Sequence, residues 1–153
     1  MSIAWNYLDK RAAAAAALKD YGRMQHIIEN TDDEISAVYD KMTSLGSVVN
    51  DGMPHASNPK AGEDRIINGI DEIDVLKERY RQALEYMDWF KPAWDFLSDS
   101  DQYVLDSFYG DGNEYGSNVA DCVSDHLGIE RASVYRKKNR ALEKLTTLLY
   151  GKL

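Results

Sequence analysis

Between Leu127 and Leu145 the chain reads LGIERASVYRKKNRALEKL. Six of its 18 Lys and Arg residues fall there, namely Arg131, Arg136, Lys137, Lys138, Arg140 and Lys144, against only Glu130 and Glu143. Guanidinium and ammonium groups repeated along one helix hold phosphate oxygens well, and Arg and Asn also carry donors that match base edges. With Val134 at the centre of an inner face, steps of 100° per residue put Ala132, Tyr135, Arg136, Asn139, Arg140 and Glu143 mainly outward. Arg131 and Ser133 fall at the helix start, where a helix entering a major groove meets base edges. The candidate DNA-binding residues are therefore Arg131, Ala132, Ser133, Tyr135, Arg136, Lys137, Asn139 and Arg140. In such a site Arg reads guanine, Tyr bonds phosphate or packs on a thymine methyl, and Arg140 suits phosphate. Lys138 falls on the apolar side of the same wheel, where its stem would have to snorkel.

No other residues converge on a chemistry. His26, His55 and His126 lie far apart without neighbours at metal-ligand spacing. The acidic groups Asp32/Asp33/Glu34 and Asp71/Glu72/Asp74 sit at helical surface positions with no His, Cys or phosphate-binding glycine loop beside them. Cys122 has no nearby base in sequence and reads as a partly buried small residue. The expectation is a protein without enzymatic activity, cofactor or metal.

The distribution of charge sharpens this picture. The whole chain has a formal net charge of −8 and a pI near 4.8. Residues 128–153 nevertheless hold seven basic and two acidic residues, leaving a net −13 on residues 1–127. An acidic chain with a basic end does not coat DNA indiscriminately, since most of its field opposes phosphate. With 153 residues, 44% of them hydrophobic, the chain has room for one ordinary domain, or a small domain with a helical appendage. A single cysteine excludes an intramolecular disulfide, and together with the absence of a signal-like start or an apolar run near 20 residues it predicts a cytoplasmic protein away from membranes.

Helices must position the basic stretch. Tyr7, Ala14, Tyr21, Ile28, Ile35 and Met42 recur every seven residues, with Ala17, Met24, Val38 and Leu45 three further on. Lys10 and Thr31 interrupt the second series, and Thr31 with Glu34 fits a capping box that would divide this stretch in two. Residues 44–64 are rich in Gly, Pro, Asn and Ser and read as a loop, placed at about 45–62. The helical period returns with Ile66, Ile73, Tyr80 and Met87, widened by Ile70, Leu76, Ala83, Leu84 and Phe90, with Gly69 as a weak point. Two such helices bury their stripes as an antiparallel hairpin or against further copies. Pro92 is expected to punctuate the chain.

Three shorter helices should follow. The first, in residues 98–110, presents Tyr103, Val104 and Phe108 as its apolar face, with Leu105 as a further candidate. The second, in residues 117–128, runs from Ser117 to Gly128 with Val119, Ala120, Val123 and Leu127 on one side. The last, from about Arg131 to Tyr150, turns Val134, Ala141, Leu142, Leu145, Leu148 and Leu149 inward. The expected fold class is all-α: a long acidic helical hairpin over 1–92, coiled-coil-like, and a compact helix-turn-helix unit over 93–153.

The segments LSDSDQYVLDSFYGDG and VSDHLGIERASVYRKKNRALEKL together resemble region 4 of the bacterial sigma-70 family. That pattern has a short helix ending in an aromatic, a Gly-containing turn, and a helix-turn-helix closing in Ala-Leu-x-Lys-Leu. The whole layout is similar to the small sigma-like proteins of Gram-positive phages and integrated elements, the ArpU-type late-gene regulators and the DUF1492-like family. Two features differ from the pattern: Gly128 falls nineteen positions after Tyr109, more than the family has, and Lys137 stands where an apolar residue is usual. No counterpart of sigma region 2 is visible in the sequence, so a complete sigma factor is not expected. The resemblance implies a sequence-specific transcriptional regulator of double-stranded DNA, with RNA polymerase and a second copy of the chain as further candidate partners. The alternatives are a small terminase-like packaging protein and an adaptor that binds only protein.

Overall fold

The computed structural model describes residues 3–44, 60–110 and 118–151, and every regular element among them is helical. A 3-10 turn at Ile3–Tyr7 precedes α1 (Lys10–Lys19), α2 (Tyr21–Thr43), α3 (Ala61–Phe96), α4 (Asp99–Tyr109), α5 (Val119–Leu127) and α6 (Arg131–Tyr150). Most of the expected loop at 45–62 and the connection at 111–117 lie outside the described residues. None of the described helices is long and apolar enough to cross a membrane.

The chain divides into two compact units, His26–Leu84 and the combination of Met1–Gln25 with Glu85–Leu153. This division differs from a boundary at residue 92, and the alanine-rich α1 explains why. Ala14 and Leu18 are buried in the same core as Phe90, Ala93, Leu97, Leu105, Ala141, Leu142, Leu145 and Leu149. Six consecutive alanines give α1 high helix propensity and a slim face that neighbouring helices can approach closely. Its first turn is capped by the Asp9 carboxylate, which accepts from Ala12 N–H at 3.1 Å. Arg11 pairs with Glu143 and so ties α1 to α6.

Phe90 is fully buried at the centre of this unit. Its ring stacks on Tyr86 at 5.2 Å and on Trp94 at 6.0 Å, and Tyr21 lies 5.6 Å away. Trp5 and Trp89 flank Tyr150 at 5.4 and 5.5 Å. The polar ends of these rings are used too: Tyr86 donates its hydroxyl to the Ala17 carbonyl, and Trp89 donates Nε1–H to the Leu149 carbonyl at 3.4 Å. Each fully buried aromatic or aliphatic side chain of this kind contributes roughly 1.5–3 kcal/mol of transfer free energy.

Pro92 does not end the helix, because α3 runs unbroken through it to Phe96. The missing N–H leaves the Asp88 carbonyl without its helical donor, a cost that burial of Phe90, Ala93 and Leu97 on either side offsets. Gln102 donates to the Trp94 carbonyl at 2.8 Å just beyond, which secures the corner into α4. There Ser98 caps α4, its hydroxyl accepting from Asp101 N–H at 3.3 Å.

A second core in the same unit joins Val104 of α4, Val119, Ala120 and Val123 of α5, and Val134 of α6, with Tyr103, Phe108, Leu127 and Ile129 packed around it. The apolar faces read from sequence for α5 and the start of α6 are those that pack. Leu148 is different: it is 41% exposed, and Thr146 is buried in α6, its hydroxyl donating to the Leu142 carbonyl.

In the unit His26–Leu84, Val38, Ile73 and Leu76 form the core, with Ile35 and Met42 against it. Thr31 does not start a new helix. It is buried within α2 and its hydroxyl donates to the Ile27 carbonyl, so the side chain is satisfied inside the helix rather than at a cap. The only interruption between α1 and α2 is at Asp20, whose N–H still bonds back to Ala16 and Ala17 at 3.2 Å. Gly69 is buried where the Met42 side chain lies directly on the α3 backbone, and a Cβ there would strike it. Ile66 and Ile70, expected inward, are 47% and 49% exposed; the buried row of α3 runs instead through Gly69, Ile73, Leu76 and Ala83.

Candidate functional site

The basic stretch is set by the turn that precedes it. Gly128 has φ 66°, ψ 34°, the left-handed conformation that ends α5 and that a side chain would penalise by about 1–2 kcal/mol. Its N–H and that of Ile129 both return to the Ser124 carbonyl, the latter at 3.2 Å, and the Ser124 hydroxyl donates in turn to the Ile129 carbonyl. Glu130 is extended and α6 begins at Arg131. Leu127 and Ile129 pack on the core that holds Val134, so the first two turns of α6 are fixed against α4 and α5.

The eight candidate residues divide by environment. Arg131, Ala132, Arg136, Asn139 and Arg140 are exposed, whereas Ser133 and Lys137 are half-buried. Tyr135 is 40% exposed, its ring 5.9 Å from Phe108. Arg131 is held from two sides, by a hydrogen bond with Tyr135 and by Asp121 at 3.6 Å, and these partners raise its already high pKa. Lys138 resolves its position on the wheel by laying its ammonium over Phe108 at 5.0 Å and Tyr135 at 5.4 Å, a cation–π arrangement.

Lys137 points to an acid that the sequence did not single out. The side chain of Asp101 is 5% exposed; its Oδ1 lies 3.4 Å from the Lys137 ammonium, and its Oδ2 accepts from Lys144 at 2.9 Å. Burial pushes this carboxyl up, but hydrogen bonds from Lys144 and Ser98 and the nearby charge of Lys137 outweigh it and leave the pKa below the ordinary carboxylate value. The available signal was the Ser98-x-x-Asp101 spacing, which places an acid in the first turn of α4, combined with a lysine on the inward side of α6. Ser133, Arg136, Lys137, Arg140 and Lys144 with Ile129 line a hollow of about 360 Å³ over Asp101. A larger hollow of about 630 Å³ is lined by Phe96, Leu97, Arg140, Lys144, Thr147 and Leu148, with Phe96 79% exposed.

The remaining polar candidates do not assemble. His126 stacks on Tyr103 at 4.2 Å, His26 shares a 3.0 Å hydrogen bond with Asn30, and His55 lies outside the described residues. Cys122 is a half-buried free thiol. Among the described residues no three His, Cys, Asp or Glu side chains converge to hold a metal ion. No family model, curated protein or solved structure matches this chain.

Proposed function

We propose that the chain is a sequence-specific DNA-binding transcriptional regulator of a phage or integrated element, in which α5, its turn and α6 form a sigma region 4-like helix-turn-helix and α2 and α3 form a helical hairpin. The observation that carries this reading is the exposed face of Arg136, Asn139 and Arg140 on a helix whose start is fixed by the left-handed Gly128 turn. A rigid helix with cations and amide donors outward meets the physical need of a major-groove reader, which is preorganised donors on one face and a packed core on the other. The spacing of Val38, Ile73, Leu76 and Met42 in one core supports the hairpin.

The test is fluorescence anisotropy with pooled fragments of the source genome at about 50 and 200 mM salt. Wild type is expected to retain a small subset of fragments at the higher salt, and an Arg136→Ala/Arg140→Ala variant to lose them. Uniform weak binding that disappears at the higher salt, or no binding, defeats the reading. A protein-only adaptor is the second reading, favoured by the apolar hollow around the exposed Phe96 and Leu148. Under it, the double arginine substitution leaves function intact.

A further inference from the structure

The cations of α6 are not equivalent, and the difference is written in their partners. Ser133, Arg136, Lys137, Arg140 and Lys144 are spaced by three and four residues, so they form one stripe along the helix, and they share one hollow. Two of the four cations in it are already engaged. Lys144 donates to Asp101 at 2.9 Å and Lys137 stands 3.4 Å from its other oxygen. With both lysines in place the Asp101 side chain is 5% exposed, so drawing either lysine away leaves a largely buried charge less compensated. Arg136 and Arg140 are exposed, and among the described residues neither has an acidic partner.

We infer that this hollow receives a backbone phosphate of the bound DNA, gripped by the Arg136 and Arg140 guanidinium groups and the Ser133 hydroxyl, while Asp101 keeps the ammonium groups of Lys137 and Lys144, the latter side chain 62% exposed, paired at the floor of the hollow. The inference rests on the DNA-binding reading and refines it: of the basic residues in the stripe, two are phosphate contacts and two belong to an ion network centred on the buried Asp101 carboxylate. The guanidinium fork is the group suited to phosphate oxygens, offering paired donors in one plane, and two forks one helical turn apart converge on one anion. Asp101 is a positioning residue. It makes no contact with DNA and instead fixes which cations are available to it.

The salt dependence of binding counts phosphate contacts and is blind to groups that serve packing alone. Each contact contributes about 0.9 to the slope of log K against log salt. On a fragment retained by wild type, Arg136→Ala/Arg140→Ala is expected to lower the slope by about 1.8. The triple variant Lys137→Met/Lys144→Met/Asp101→Asn, which removes the network and its buried charge together, is expected to leave the slope unchanged. Lys144→Met alone, which keeps the Lys137–Asp101 pair, is expected to do the same, and it decides the matter if circular dichroism shows the triple variant unfolded. A loss of slope in the lysine variants equal to that in the arginine variant overturns the inference while leaving the DNA-binding reading standing. A wild-type protein that retains no fragment overturns both.

Discussion

Asp101 illustrates how much a single carboxylate can organise. It lies in the first turn of α4, where an acid favours the helix N-terminus, and it also receives two lysines from α6. Because its pKa is below the ordinary value in the folded chain, its contribution to stability is fully present above about pH 4, the value of an unfolded aspartate, and is lost as pH falls through the depressed folded value. Urea midpoints of wild type and Asp101→Asn should therefore differ by a constant amount above about pH 4.5 and converge at lower pH. A difference that persists unchanged to the acid limit would show that the carboxylate's charge is not what stabilises the contact. The position is hard to read in sequence because SDSD offers four residues of cap-forming type and nothing local says which one faces α6. The outward placement of Arg136, Asn139 and Arg140 was legible, since Val134, Ala141, Leu142 and Leu145 fix the phase of the helix. Lys137 was not, because its partner is 36 residues away.

At the level of elements, the all-helical class and the extents of α4, α5 and α6 follow from apolar periodicity and from Ser98 and Gly128 as punctuation. Where local signals misled, packing was the competitor. Pro92 would stop an isolated helix, yet the buried residues around it carry α3 onward; Thr31 fits a cap, yet its hydroxyl is satisfied by the Ile27 carbonyl. The heptad phase of α3 was displaced because a glycine, which adds nothing to a hydrophobic pattern, marks the point of contact. Gly69 is buried because Met42 occupies the space a Cβ would take. A double-mutant cycle tests that assignment. Gly69→Ala should destabilise the wild-type chain but stabilise a Met42→Ala background by about 1 kcal/mol, the helix-propensity gain of alanine over glycine. Equal effects of Gly69→Ala in the two backgrounds would mean that Met42 does not rest on this site.

At the scale of the molecule, the functional candidates and the acidic segment fall in different compact units. Residues 26–84 hold 12 Asp and Glu against six Lys and Arg, and none of the candidate DNA-binding residues. The other unit has its own two cores and gathers α1, the end of α3, and α4 to α6. Tyr21 packs 5.6 Å from Phe90, so the chain ends left by removing residues 26–84 lie close enough for a short Gly/Ser linker. A chain of residues 1–25 and 85–153 joined in this way should melt cooperatively and bind the same fragments as the full chain, within about tenfold in affinity, a difference worth about 1.4 kcal/mol. A joined chain that folds but no longer selects fragments would assign part of the recognition to residues 26–84. Division by contacts, unlike division by charge, was not legible in sequence, because six alanines signal a helix without saying what it packs against.

The aromatic packing around Tyr150 and Phe90 gives the molecule a built-in optical label. All three tryptophans, Trp5, Trp89 and Trp94, belong to the unit that contains α6, and residues 26–84 contain none. Indole emission therefore follows the folding of that unit alone, whereas far-ultraviolet ellipticity sums over both. Any separation between the two signals during a melt is a direct reading of how independently the acidic segment unfolds.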